Sequence, residues 1–393
     1  MDKNYNTATL EFDLGALYHN ASYLMKESGN VIATVKNNAY NFGLEKAVST
    51  FYKANIRCFA TTSLEEAVEI RKILNKIQNN HMTLGNKNLV HEKNYPSESM
   101  NDLTEDILIF LLNPCTDFDT LRLYNISCSI ANYDWLVENS NSMFGIDWHL
   151  EWAGFMRRSG CRSEDEFLKC LEYAKDNDIN IEGIWTHFAW ADEFDEDNMY
   201  EKEKKSWLEI QQKASVKYKF KYIHAQNSAS FCRDNKLQGH THIRVGILLY
   251  GCPGYEGWKD SDKIKHCIDL YASVITVKNL NKGESIGYCS SFTANEKTKI
   301  AVINIGYGDG LLRKRVLGHD VFINNKRYKL VSMMMSHTVC IVDDEVGVGD
   351  KAVFYSSKIP IYEYTYKGVG ANSEQISPLN HNSLHIVYKE VQY

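Results

Sequence analysis

Lys36 closes an apolar run, Val31–Lys36, inside the segment Val35-Lys36-Asn37-Asn38-Ala39-Tyr40. A lysine at such a strand end can lose solvent around its amine. Desolvation lowers the amine's pKa and favours Schiff-base chemistry with a carbonyl compound. Taken alone, Lys36 is more simply an ordinary lysine in a loop. His187 ends a second apolar run in Trp185-Thr186-His187-Phe188-Ala189. It suits either a hydrogen-bonded core position or acid–base work. His224-Ala225-Gln226-Asn227-Ser228 and Arg244-Val245-Gly246-Ile247-Leu248-Leu249-Tyr250-Gly251 follow two further runs. Ser228 offers a hydroxyl, and Gly246 lets backbone N–H groups approach an anion closely, the ingredients of a phosphate site. Ile286-Gly287-Tyr288 and Ile305-Gly306-Tyr307-Gly308-Asp309-Gly310 each set a tyrosine beside glycine, as a functional phenol or as an aromatic next to a tight turn. No His-Glu-x-x-His occurs, and His240-x-His242 is too little to propose a metal.

These side chains need a scaffold that gathers strand ends. Eight apolar runs, Val31–Lys36, Cys58–Thr62, Ile107–Asn113, Ser127–Asn132, Met143–Glu151, Ile181–His187, Tyr222–Asn227 and His242–Gly246, alternate with helical patterns. Ser63-Leu64-Glu65-Glu66 is a capping box predicting a helix to about Leu74, and Ser163–Glu166 is another. Eight β/α units predict a TIM (β/α)8 barrel, whose chemistry sits at the C-terminal strand ends and whose phosphate site often uses the loops after strands seven and eight. The polar stretch 75–106 is expected as an excursion from the barrel edge. Beyond Gly251 the alternation stops. Ser273–Lys278, Lys299–Gly306, Val321–Ile323, Tyr328–Met333, Thr338–Asp343 and Lys351–Tyr355 are expected strands. The expectation is an α/β protein with the barrel at 12–250 and a mainly-β C-terminal domain at 251–393. Residues 7–12 form a strand free to join the β domain.

The chain has 393 residues, 44% hydrophobic and 24% charged, with a net charge of −6, which suits a two-domain globular protein. No basic stripe argues for nucleic acid, and no apolar run is long enough to span a membrane. No apolar leader is visible at the N-terminus. The ten cysteines form no C-x-x-C pair and are expected as reduced thiols in a cytoplasmic protein.

In this order, the segments around Lys36, His187, His224–Ser228, Arg244–Gly251 and Ile305–Gly310 resemble those of the alanine racemase family, over nearly the whole chain. The resemblance implies a pyridoxal-phosphate isomerase of fold type III that makes D-alanine for the cell wall. Lys36 would carry the cofactor as a Schiff base. His187 would stack on its ring, and Arg244 would donate to the ring nitrogen. Tyr40, Asn227, Ser228, Gly246 and Ile247 would bind its phosphate end. Tyr288 would be the second catalytic base, while Arg158, Met333 and Tyr307 would meet the amino-acid substrate. Family members are head-to-tail homodimers with shared sites. Three positions depart from the family pattern. Met334 stands where an acid is usual, Glu151 stands where a carbamylated lysine often braces the arginine matched by Arg158, and Asn380 or His381 replaces a tyrosine at the pocket entrance. A racemase of serine or of a broader set of amino acids, or a cofactor-binding homologue with little turnover, fits the same residues.

Overall fold

A computed structural model describes residues 7–85, 106–316 and 319–390. It divides the chain into two compact units, one of residues 18–249 with 253–263, the other of residues 1–17 and 250–252 with 264–393.

The chain starts with β1 (Thr9–Asp13), a strand of the second unit. The first unit is built on eight parallel strands: β2 (Val31–Thr34), β3 (Cys58–Thr61), β4 (Leu108–Leu111), β5 (Ser127–Ile130), β6 (Trp148–Glu151), β7 (Ile181–Trp185), β8 (Tyr222–His224) and β9 (Ile243–Val245). Their order is β8-β7-β6-β5-β4-β3-β2-β9. Hydrogen bonds from Thr241 N to Ile223 O (3.0 Å) and Arg244 N to Gln226 O (2.9 Å) tie the last segment back to β8 and close the barrel. Helices follow each of β2 to β8, among them Leu44–Lys53, Leu64–Gly85, Glu164–Asp176 and Met199–Lys217. The strands are almost wholly buried, and Ile32, Ala60, Leu108, Phe110, Trp185 and Tyr222 form the packed interior. This is the TIM-type barrel expected of the alternation.

Element limits differ from the sequence expectation in several places, such as β8, which ends at His224 rather than Asn227. The Ser63 hydroxyl does accept the Glu66 N–H (3.3 Å), but the helix it starts runs to Gly85, well past Leu74. Ile73, Leu74 and Ile77 continue the apolar stripe at helical spacing and Gln78 is buried, so the polar residues between them do not end the helix. The first part of the expected excursion is therefore helical, and residues 86–105 lie outside the described residues. β6 begins at Trp148 rather than Met143, because the chain turns at Gly145 (φ +70°). β2 and β7 stop at Thr34 and Trp185, so Lys36 and His187 lie just beyond the strands.

The second unit continues through β10 (Ile268–Leu280), β11 (Ser285–Ile286), β12 (Phe292–Thr293), β13 (Thr298–Ile303), β14 (Asp320–Ile323), β15 (Lys326–Met333), β16 (Thr338–Ile341), β17 (Lys351–Tyr355) and β18 (His385–Lys389). Its eight-stranded sheet has the order β13-β16-β15-β14-β17-β10-β1-β18, and β10 also pairs with β13. β10 achieves both by a bulge between Val274 and Thr276. Its first half pairs with β1 and β17, its second half with β13. The sheet thereby curls on itself around Leu280, Ile300, Val331 and Val339. β18, β11, β12 and the short helices Ile361–Tyr366 and Asn372–Ile376 are additions to the strands expected from sequence.

Candidate active site

After β2 the backbone does something L-residues avoid. Asn37, Asn38, Ala39, Tyr40 and Asn41 all have φ between +52° and +70°. The five residues after Lys36 thus form a left-handed turn, a conformation costing about 1–2 kcal/mol per residue. Three of the five residues are asparagine, the non-glycine type that tolerates it best. The Glu66 carboxylate offsets part of the cost by accepting the N–H groups of Asn38 (2.7 Å) and Asn37 (3.3 Å) and the Thr61 hydroxyl (2.5 Å). Asn38 Oδ1 accepts the Leu44 N–H (2.8 Å), which locks the turn onto the next helix. Lys36 is held at the head of this rigid turn. Burial first, then the charges of Arg158 and Arg244, push its amine below the usual lysine range. A larger neutral fraction makes it a better nucleophile and base.

Arg244 lies on β9 and is buried. Its Nη2 donates to Thr186 O (2.8 Å) and faces His187 Nδ1 (3.2 Å), while Nη1 faces His224 Nδ1 (2.5 Å). A guanidinium has only donors, so both histidine Nδ1 atoms must accept. Burial and the charge of Arg244 push His187 and His224 well below their ordinary pKa, so both are neutral. Burial lowers Arg244 itself to about 9, which leaves it cationic at neutral pH.

The turn after β9 forms a cradle. Ser228 Oγ accepts the N–H groups of Gly246 (3.3 Å) and Leu248 (3.2 Å), with Ile247 between them in sequence. A Cβ on Gly246 would stand 2.3 Å from the Tyr40 hydroxyl, so glycine is required for that close approach. Burial pushes the Tyr40 phenol up to about 12, keeping it protonated as a donor. Asn227 is the N-cap of the helix Ser228–Asp234, accepting Ser230 N (3.0 Å) and donating to Phe188 O (2.9 Å). It ties this cradle to the His187 loop.

Glu151 ends β6 with only 2% exposure, so it is no surface residue. Its Oε1 lies 4.0 Å from Arg158 Nη2, an ion pair beyond hydrogen-bond length, and Oε2 has no hydrogen-bond partner. Burial raises its pKa to about 7, against the pull of Arg158, Ser159 and Arg244. Glu203, a residue of the helix Met199–Lys217, is the clamp that sequence reasoning missed. Its carboxylate accepts N–H groups of Ala189 (2.8 Å), Trp190 (3.2 Å) and Phe155 (3.3 Å), joining the loops that carry His187 and Arg158. A glutamate on a helix facing a barrel gives little signal in sequence.

The remaining candidates belong to the second unit. Tyr288 is 72% exposed and follows Gly287 (φ +85°) in a tight turn. A hydrogen bond between Ser291 and Ser332 (2.7 Å) fastens that turn to β15. Tyr307 is held by its N–H to Met334 O (3.1 Å) and lies under the Arg313 guanidinium. Met333, the last residue of β15, is buried. Both tyrosine turns are therefore anchored on the segment 332–335. Among the described residues, no group of three His, Cys, Asp or Glu is placed to hold a metal ion, and no helix is long and apolar enough to cross a membrane.

Comparison with known proteins identifies the fold and the lineage. Residues 12–253 match the model of the alanine racemase N-terminal domain, and residues 267–382 that of the alanine racemase C-terminal domain. The chain belongs to the alanine racemase family. It is 39% identical to alanine racemase 2 of Staphylococcus aureus over 385 residues, 96% of this chain and 97% of that one. Among solved structures of this fold, alanine racemase from Bartonella henselae with covalently bound pyridoxal phosphate superposes with a TM-score of 0.80 at 19% identity, covering 98% of this chain and 99% of that one. The enzyme from Bacillus anthracis with bound L-Ala-P gives 0.76 at 23% identity, covering 98% and 96%. This is an isomerase family.

The site geometry predicts that the Lys36 amine titrates below the surface lysines. Removing a neighbouring cation must raise it, so Arg158→Ala should shift its titration to higher pH. Labelling with an amine-reactive reagent over a pH series, mapped by mass spectrometry, measures this. A Lys36 profile matching the surface lysines, or a downward shift in the variant, would contradict it.

Proposed function

We propose that the protein is a pyridoxal-phosphate-dependent racemase interconverting L- and D-alanine. The observation that carries this is the convergence of three features in the barrel unit: a lysine with a depressed pKa, a buried donor-only Arg244, and the Gly246 cradle. The cradle fits a phosphate, since Tyr40 and Ser228 supply hydroxyls, Ile247 supplies a backbone N–H, and Gly246, whose own N–H donates to Ser228 Oγ, leaves no side chain at the closest point. Lys36 suits a covalent link to the aldehyde, and Arg244 suits the ring nitrogen. His187, neutral and oriented by Arg244, suits the ring face.

When bound, pyridoxal phosphate supplies the electron sink that acidifies an amino acid's α-hydrogen. The chain's own groups do the rest. Lys36 Nζ removes or returns a proton on one face of Cα, and Tyr288 of the partner subunit acts on the other. Arg244 has only donors and yields no proton, so it would disfavour protonation of the ring nitrogen and restrain side reactions. Arg158 binds the substrate carboxylate, with Met333 and Tyr307 of the partner subunit beside the substrate. The working form is a head-to-tail homodimer. The free cysteines, eight of them buried, support a reducing compartment, the cytoplasm, where D-alanine would feed cell-wall synthesis.

A panel of L-amino acids with chiral analysis of the products tests the substrate. The reading predicts D-alanine as the fastest product. Faster turnover of serine would reassign the substrate, and cofactor binding without turnover would reduce the protein to a binding homologue. The dimer and the two bases have their own test. Lys36→Ala and Tyr288→Phe chains should each be inactive, yet mixing them after exchange of subunits should restore about a quarter of wild-type activity, because half the dimers are mixed and each holds one complete site. No recovery in demonstrably mixed dimers would contradict the shared site.

Glu151 makes a further prediction. Its ionised form orients Arg158, and its pKa lies at about 7. The carboxylate is thus lost as pH falls through 7, so KM for the amino acid should rise there. In Glu151→Gln, KM should be high and flat across the same range while the cofactor spectrum is unchanged. An unaltered pH dependence of KM would remove Glu151 from substrate binding.

A further inference from the structure

Two polar residues sit inside barrel strands where apolar ones would pack. His149 on β6 is fully buried, and Glu182 is the second residue of β7. His149 lies in a slot made for an imidazole. Phe110 stacks on it at 4.3 Å and Tyr222 at 5.3 Å, and a Cβ on Gly183 would stand 2.6 Å from its Nδ1. Its Nδ1 lies 3.0 Å from His224 Nε2, and its Nε2 lies 3.3 Å from Glu182 Oε1. The Ser127 hydroxyl donates to the same Glu182 oxygen (2.8 Å).

The direction of every hydrogen bond in this row is fixed by its ends. Arg244 has no acceptor, so His224 Nδ1 accepts from it. A neutral His224 then carries its proton on Nε2 and donates to His149 Nδ1. A neutral His149 in turn carries its proton on Nε2 and donates to Glu182. An imidazolium at either position would set two donors against each other. Burial agrees, pushing both histidines below their ordinary pKa, while the contact with His149 holds Glu182 low against its own burial.

We propose that Glu182 and His149 are positioning residues for Arg244. With His224 they form a one-way hydrogen-bond chain, Arg244 to His224 to His149 to Glu182, that crosses the barrel from the end carrying Lys36 to the opposite end. Because the strands are parallel, the start of β7 and the end of β2 lie at opposite rims. A carboxylate at one rim thus sets the plane of a guanidinium near the other, through two neutral rings. Only what Arg244 faces rests on the proposed function; the chain itself does not.

The test uses the full-length protein without added cofactor, labelled with 15N-histidine, with His149 and His224 assigned by single substitution. Long-range 15N–1H correlation spectra should show both rings neutral with the proton on Nε2. A proton on Nδ1, or an imidazolium, at either ring overturns the proposal. Glu182→Gln keeps the volume and an acceptor oxygen but removes the charge. It should keep both tautomers and shift the ring nitrogens of His149 and, less strongly, of His224, two links away. An unchanged His224 in that variant also overturns the proposal, since a glutamate that merely filled space would leave it unmoved. Failure of racemisation with intact tautomers would count against the proposed function alone.

Discussion

A guanidinium sealed among apolar strands sets the terms for its surroundings. Desolvating a cation costs several kcal/mol, and the structure answers with neutral acceptors rather than a contacting carboxylate. Arg244 directs three of its five N–H donors at Thr186 O, His187 and His224. Both histidines must then be neutral and fixed in one tautomer. Burial, then Arg158, then the same charge depress Lys36. Within the barrel unit this cation, together with burial, keeps the neighbouring rings neutral and the lysine amine low. Moving it would disturb the candidate nucleophile and the ring beside it at once.

Carboxylates outside the site fix the backbone around it. Glu66 gathers the N–H groups of a left-handed turn that would otherwise be unfavourable. Glu203 does the same for two separate loops. Charge-assisted hydrogen bonds to backbone donors are stronger than neutral ones, which suits them to holding strained segments. Glu151 differs, because half of its carboxylate is left unpartnered in a buried position. Burial raises its pKa to about 7, so it titrates near neutral pH.

Much of this was legible in the sequence. Periodicity alone yielded all eight barrel strands and the change to β structure past Gly251, because parallel strands buried on both faces are near-continuous apolar runs. The Lys36, Ser228 and Gly246 positions were legible because motif and strand end coincide. The left-handed turn after Lys36 was not, since asparagine and alanine also suit ordinary loops. The strand positions of His149 and Glu182 offered a signal, a polar residue where the pattern demands an apolar one, but their partners are 33 to 75 residues away. The helix end at Gly85 was missed because lysine and asparagine on the exposed face masked a continuing stripe.

The claim at the centre is that Lys36, placed before its left-handed turn and depressed by burial and by Arg158 and Arg244, is the group that bonds the cofactor. Borohydride reduction of the protein loaded with pyridoxal phosphate, followed by peptide mass mapping, tests it most directly. The account predicts one reduced phosphopyridoxyl adduct, on Lys36. An adduct spread over surface lysines, or one confined to a different residue, would contradict it.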